Sequence, residues 1–186
     1  MNLLLHVCCA PCAIFPATLL QQLDFDVTLF FYNPNIQPYR EFQKRLASVQ
    51  DFAKSHNLAL IADERYHLAQ FLRAVVFREN ERCQVCQELR ISKTTTVARE
   101  NGFKSFSTSL LYSKFQKHDE ICKQCTDYAD HTGIKFIYHD FRRGWKEGIE
   151  ASISQGFYRQ SYCGCIYSEQ DRYDKFTRKE KKQCQL

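Results

Sequence analysis

Glycine, proline and long apolar runs are scarce in this chain, which has 6 Gly and 4 Pro among its 186 residues. Such low contents exclude a fibrous or low-complexity protein. No apolar run approaches the roughly 20 residues that a membrane-spanning helix needs, and the first run, which ends at His6, is too short for a secretory signal. The sequence therefore predicts a cytoplasmic protein that does not bind a membrane.

Phosphate-binding loops are also missing. The chain has neither a Walker loop nor a Gly-x-Gly-x-x-Gly motif, and the segment after the first apolar run lacks the Ser-Gly-Gly-x-Asp-Ser loop of ATP pyrophosphatases. Loops of this kind place backbone N–H groups against phosphates. Their absence argues against a nucleoside triphosphate as a ligand.

Apolar and aromatic side chains, in contrast, are abundant enough for a substantial core. The hydrophobic fraction is 44%, with 15 Phe and 10 Tyr. The net charge of +5 is a mild basic bias that is compatible with a polyanionic partner. The length predicts one domain covering residues 1–186, with a charged surface tail at 169–186.

Short apolar segments alternate along the chain with segments of helical periodicity, which predicts an α/β fold. The predicted strands cover 3–7, 26–32, 58–62, 106–111 and 134–138. A helix is expected at Pro16, and others over about 39–56, 68–77, 81–101, 118–132 and 145–153; the helix 68–77 is apolar nearly all round and is expected to be buried. This alternation predicts a parallel sheet with helices on both faces, and a ligand site at the carboxyl ends of the strands.

Ten cysteines are the most unusual feature of the composition. A secreted disulfide framework is disfavoured because the chain is long, rich in core residues and without a recognisable signal. In a reducing compartment, clustered cysteines are more often metal ligands or redox groups.

The first group of cysteines follows the first predicted strand directly. Cys8, Cys9 and Cys12 lie on the turn between that strand and a helix, and Cys83 and Cys86 form a Cys-x-x-Cys pair at the start of a later helix. A helix N-terminus favours thiolate over thiol. If Cys8, Cys9, Cys83 and Cys86 converge, they suit zinc or an iron–sulfur cluster, and the adjacent pair favours the larger cluster over a single ion. Cys12 either binds a second metal or packs under the turn.

Cys163 and Cys165 flank a glycine near the end of the chain. A disulfide between them would close a small, strained and easily reduced ring. The pair is therefore a redox-active dithiol, a further pair of metal ligands, or two buried thiols. Cys122 and Cys125 lie inside a predicted helix and are interpreted as core residues, and Cys184 in the charged tail as incidental.

Polar residues at strand ends are further candidates. Asp140 is placed for proton transfer or for capping a loop. Lys117, His118 and Arg142 follow predicted strands and are placed to meet phosphates. Tyr158 and Tyr162 either stack on a base or pack in the core. His6, within a strand, is interpreted as a hydrogen-bonded core histidine.

Six stretches of the chain, in this order, resemble the cobalamin-independent epoxyqueuosine reductases of the QueH type. They are His6-Val7-Cys8-Cys9-Ala10-Pro11-Cys12, Tyr32-Asn33-Pro34-Asn35-Ile36, Arg82-Cys83-Gln84-Val85-Cys86, Ser107-Thr108-Ser109-Leu110-Leu111, His139-Asp140-Phe141-Arg142 and Tyr158-Arg159-Gln160-Ser161-Tyr162-Cys163-Gly164-Cys165. The last stretch is highly specific, and together they cover nearly the whole chain.

The resemblance implies a Rossmann-like fold related to the adenine-nucleotide hydrolases, and reduction of epoxyqueuosine at the wobble position of tRNA to queuosine. It also implies a [4Fe–4S] cluster, an additional iron ion, the anticodon arm of tRNA as partner, and an electron donor that the sequence does not identify. The implied roles are as follows: Cys8, Cys9, Cys83 and Cys86 as cluster ligands, Cys12 as candidate ligand of the additional iron, Cys163 and Cys165 as the redox pair, and Tyr158, Arg159 and Tyr162 among the substrate-binding residues. The alternative is a zinc-stabilised RNA-binding module without catalysis, which would use the same thiolates structurally.

Overall fold

A computed structural model describes residues 1–176 and contains one five-stranded sheet in which every paired neighbour is parallel. The strands are β1 (Asn2–Val7), β2 (Asp26–Phe31), β3 (Ala59–Ala62), β4 (Ser105–Thr108) and β5 (Lys135–Phe136). Their order in the sheet is β3-β2-β1-β4-β5. The chain therefore leaves β1 on one side and returns on the other, and such a reversal opens a crevice at the carboxyl ends of the strands.

Seven helices lie within the described residues. They are α1 (Ala10–Gln22), α2 (Tyr39–Ser55), α3 (Leu68–Val75), α4 (Arg82–Glu100), α5 (His118–Thr132), α6 (Trp145–Ser154) and α7 (Ile166–Tyr173). Helix α1 packs against α2 and α6, whereas α4 packs against α3 and α5, so the two groups cover opposite faces. The predicted α/β fold with a parallel sheet is confirmed.

The central strand shows why the sheet forms. All side chains from Leu3 to Val7 are buried, because β1 has a strand on each side and helices on both faces. His6 is the polar exception, and it contacts Thr108 Oγ1 at 3.0 Å and the Tyr32 carbonyl oxygen at 3.2 Å. Burial lowers the pKa of His6 to about 4, so the ring is neutral at pH 7, and its predicted core role is confirmed.

Both ends of α5 were predicted correctly. Helix α5 covers the predicted residues, and it ends at Gly133, whose φ of +73° is a left-handed conformation that glycine adopts without strain. The buried Cys125 and the half-buried Cys122 pack in or against the main core, as predicted.

Three predicted elements differ from the structure. Strand β4 ends at Thr108, because the Thr108 hydroxyl accepts the Leu110 N–H at 3.2 Å and starts a 3₁₀ turn over Ser109–Tyr112. Strand β5 has two residues. Helix α3 is not buried all round: Phe71 and Val75 are its buried residues, and Phe77, predicted to belong to it, lies beyond its end and is 94% exposed.

The predicted surface tail is described in part. Helix α7 begins at Ile166 and ends at Tyr173, with no buried residue, whereas residues 177–186, and with them Cys184, lie outside the described part of the chain. No helix within residues 1–176 is both long and apolar enough to cross a bilayer.

Candidate metal centre and its cavity

A cavity of about 640 Å³ lies at the carboxyl ends of β1 and β4. Of the nine cysteines in residues 1–176, six line it: Cys8, Cys12, Cys83, Cys86, Cys163 and Cys165. They come from three parts of the chain that are far apart in sequence. Cys8 and Cys12 follow the carboxyl end of β1, Cys83 and Cys86 open α4, which leads back to β4 beside β1, and Cys163 and Cys165 precede α7.

The turn between β1 and α1 carries the tightest group of thiols. The sulfur atoms of Cys8, Cys9 and Cys12 lie within 4.8 Å of one another, and those of Cys8 and Cys9 are 3.8 Å apart. Hydrogen bonds from Cys12 and Cys9 hold the pKa of Cys8 well below its usual range, with a further contribution from two buried arginines, Arg45 and Arg90. Three soft sulfur donors of which one ionises readily are a group that can hold a metal ion.

Cys83 and Cys86 lie in the first turn of α4, on the wall of the same cavity. Cys86 is buried and its pKa is raised to about 12 by that burial, whereas Cys83 is exposed. Neither belongs to the group of three sulfurs within 4.8 Å. Of the four predicted cluster ligands, Cys8, Cys83 and Cys86 thus line the cavity, whereas Cys9 is fully buried with its sulfur 3.8 Å from that of Cys8.

Cys163 and Cys165 lie on the loop that enters α7. Gly164 between them has a φ of +147°, and a Cβ there would be 3.1 Å from Asn35 Nδ2 and 3.2 Å from Arg45 Nη1. Only glycine fits this backbone without strain. Cys163 is exposed to the cavity and its sulfur accepts a hydrogen bond from Gln116 Nε2 at 3.2 Å, while Cys165 is buried.

Two buried arginines flank the cysteines, and the sequence analysis missed both. Arg45 is fully buried, pairs with Glu41 at 2.7 Å, and donates to the carbonyl oxygens of Tyr162 and Cys163 at 3.0 and 2.8 Å. It therefore fixes the loop that carries Cys163. Arg90, which is 2% exposed, donates to Cys86 Sγ at 3.0 Å. Its place one helical turn after Cys86 was the signal available in the sequence.

Three of the predicted substrate-binding residues line the cavity: Lys117, Arg159 and Tyr162. Lys117 forms an exposed ion pair with Glu120 at 2.9 Å. The Tyr162 hydroxyl donates to the Gln37 carbonyl oxygen at 2.6 Å, and its ring lies under the Arg45 guanidinium.

The other predicted site residues are not among those that line the cavity. Arg142 donates two hydrogen bonds to Asp140, at 2.7 and 2.8 Å, and this contact lowers the pKa of Asp140 to about 2. His118 is buried beside the Tyr138 hydroxyl. The Tyr158 hydroxyl donates to Glu41, so Tyr158 supports the buried Arg45 pair.

An aromatic pair at the cavity mouth was also missed by the sequence analysis. Phe115 lines the cavity and is 87% exposed. Its ring packs edge-to-face against Trp145, with 5.9 Å between the ring centroids. Lys114 Nζ lies 5.8 Å from the centre of the Trp145 ring. In the sequence, the signal for this residue was its position between Lys114 and Lys117, in the segment after the fourth strand.

The chain is similar to proteins of one family over most of its length. The family described as "Epoxyqueuosine reductase QueH" matches residues 3–171. Proteins named epoxyqueuosine reductase QueH from Dehalococcoides mccartyi, Acinetobacter baylyi and Thermotoga maritima are 35%, 36% and 33% identical to this chain. The matches cover 94%, 91% and 94% of this chain, and 96%, 81% and 93% of those proteins.

A solved structure shows the same fold at low sequence identity. The predicted subunit of a tRNA methyltransferase from Methanocaldococcus jannaschii aligns with a TM-score of 0.55 and 13% identity, over 82% of this chain and 74% of that one. That likeness concerns the fold alone. The family match spans β1 to α7 and every cysteine that lines the cavity. This chain belongs to the epoxyqueuosine reductase QueH family.

Proposed function

We propose that this protein reduces epoxyqueuosine, at the wobble position of tRNA, to queuosine. The observation that carries the proposal is the convergence of six cysteines from three distant segments on one cavity, in a chain of the QueH family. A binding module would need at most four of these thiols for a structural metal. The additional exposed thiol at Cys163 favours redox chemistry.

An iron–sulfur cluster makes use of more of these cysteines than a single ion does. The sulfurs of Cys8, Cys9 and Cys12 are close enough for one ion, and a single ion there would leave out the pair Cys83 and Cys86, which lies on the same cavity. A [4Fe–4S] cluster accepts thiolates on different corners and would be held by Cys8, Cys9, Cys83 and Cys86. Cys12 would then hold the additional iron. When bound, such a cluster supplies electrons one at a time.

Cys163 and Cys165 would provide the second electron store. Conversion of the epoxide to an alkene consumes two electrons and two protons and releases one water. Oxidation of the two thiols to a disulfide yields two electrons and two protons, so the step balances. An external donor, whose identity is open, would reduce the pair again.

The thiols are also the better proton source. A group that donates a proton must carry one at neutral pH, and the contact with Arg142 keeps Asp140 ionised, with a pKa of about 2. Asp140 and Arg142 lie outside the cavity lining, and their ion pair would fix the orientation of Arg142, which we assign to a phosphate outside the cavity.

The anticodon arm would be held by charge and by stacking at the cavity mouth. Lys117 and Arg159 are the lining cations that we assign to phosphates. The exposed ring of Phe115, supported by Trp145, offers a face on which an unstacked base can lie.

Phe115→Ala is expected to weaken binding of the tRNA by about tenfold, because one base stack contributes roughly 1–3 kcal/mol. The salt dependence of binding should stay as in the unchanged protein, since no charge is lost. Phe77→Ala is the matched control: Phe77 is even more exposed but does not line the cavity. Equal losses in both variants, or none in Phe115→Ala, would remove Phe115 from the interface.

The function is tested on protein purified without oxygen, by measuring iron, zinc and acid-labile sulfide per chain and then conversion of tRNA that carries epoxyqueuosine. We expect about four irons and four sulfides, with a fifth iron for the additional site, and the appearance of queuosine. One zinc without sulfide, and tRNA binding without conversion, would instead support the RNA-binding module.

A further inference from the structure

Arg90 is a buried cation whose side-chain hydrogen bonds, within residues 1–176, all go to one cysteine. It lies in α4, one turn after Cys86, and is 2% exposed. Its Nε donates to the Cys86 carbonyl oxygen at 3.0 Å, and its Nη2 donates to the Cys86 sulfur, also at 3.0 Å. The guanidinium also lines the cavity.

No carboxylate compensates this charge within residues 1–176, where none of the ion pairs includes Arg90. Arg45, the other buried arginine of the site, has Glu41 at 2.7 Å. A buried charge without a counter-ion is strongly destabilising. The charge of the Arg90 guanidinium must therefore be balanced by an anion other than an aspartate or glutamate side chain.

The ionisable groups around Arg90 are cysteine side chains, which become anionic when they bind a metal ion. They are Cys86, Cys163, Cys8 and Cys165. The first and third belong to the candidate metal centre, and the other two form the candidate redox pair. Arg90 thus lies where the two groups of cysteines meet.

We propose that Arg90 is the fixed counter-cation of the metal centre. Its N–H group orients the Cys86 sulfur, and its positive charge stabilises the more negative, reduced state of the group that Cys8 and Cys86 hold. Arg90 is a positioning residue that acts through the metal ligands. This inference rests on the proposed function for the nature of the metal centre, but the placement of the charge stands on the contacts above.

The competing interpretation is structural. The Nε hydrogen bond to the Cys86 carbonyl could serve only to brace the first turns of α4. The two interpretations predict different effects when Arg90 is replaced by a neutral side chain of similar length. If Arg90 is only a structural brace, stability falls equally with and without metal. If it is a counter-cation, the reduction potential changes and the metal-loaded form loses more stability.

The first test is a redox titration of the iron–sulfur-loaded full chain. Arg90→Met is expected to shift the midpoint potential of the centre to a lower value, because reduction then adds negative charge without a nearby cation. Arg90→Lys, which keeps the charge on a shorter side chain, should restore part of the shift. Arg99→Met is the control, since it removes the same charge from an exposed position on the same helix. A midpoint equal to that of the unchanged protein in Arg90→Met would overturn the proposal.

The second test compares thermal unfolding of the metal-loaded and metal-free chains. Arg90→Met should lower the melting temperature of the loaded form more than that of the metal-free form, whereas a structural brace predicts equal losses and would refute the inference. This comparison remains decisive if the chain holds zinc in place of iron and sulfide. Zinc binding would contradict the proposed reductase function, and the unfolding of the zinc-loaded chain would then test the role of Arg90.

Discussion

Replacing Cys8 with serine is expected to abolish both metal retention and reduction of epoxyqueuosine. Cys8 lies at the carboxyl end of β1, in the group of three sulfurs, and on the wall that Cys83 and Cys86 share. Its neighbours hold its pKa well below the usual range, so it is the thiol of this group that is most readily ionised. A serine hydroxyl is a hard donor that stays protonated at neutral pH, and soft iron–sulfur centres bind it poorly.

Cys12→Ser distinguishes the two possible ligand sets. If Cys12 holds only the additional iron, this variant should keep about four irons and four sulfides and lose the fifth iron. Iron and sulfide analysis of the purified variants measures this directly, with Cys122→Ser as a control from a Cys-x-x-Cys pair that packs on the core. Complete metal loss in Cys12→Ser, with full retention in Cys83→Ser, would show that the three clustered sulfurs alone hold the metal.

The fold was predictable because its signals are local. The apolar run of β1 is continuous since the strand is buried on both faces, and the left-handed glycine at Gly133 marks the end of α5. The errors arose where a single hydrogen bond or tertiary contact decided the outcome. The Thr108 hydroxyl ends β4 early. Helix α3 buries only Phe71 and Val75, although apolar residues lie nearly all round it.

The candidate site was predictable to the extent that its chemistry is carried by rare residues. Cysteines at a strand end and at a helix start can be identified from spacing, and the parallel topology then brings them together. The residues that surround them could not be found in this way. Arg45 contacts the carbonyl oxygen of Cys163, which lies 118 positions away, and Phe115 is notable only because its ring is exposed at the cavity mouth.

Cys163→Ser is expected to reduce turnover by a factor of about 10² or more while leaving metal content unchanged. Cys163 is exposed in the cavity, lies outside the group of three sulfurs, and is held by a hydrogen bond from Gln116. Serine preserves that hydrogen bond and the backbone of Gly164 but can neither release electrons nor form a disulfide. The measurement is queuosine formed per chain, together with iron and sulfide content in the same preparation.

Turnover and metal content, compared in the same preparation, together show what the Cys163–Cys165 pair does. Loss of turnover with full metal content assigns the two electrons and two protons of a dithiol-to-disulfide step to this pair, because the metal centre alone is then insufficient. Loss of iron along with turnover would make Cys163 a metal ligand, the role that the spacing of the pair also allows. Normal turnover with normal metal content would eliminate the dithiol from the reaction, and the second electron would then have to come from the additional iron or from a second transfer by the external donor.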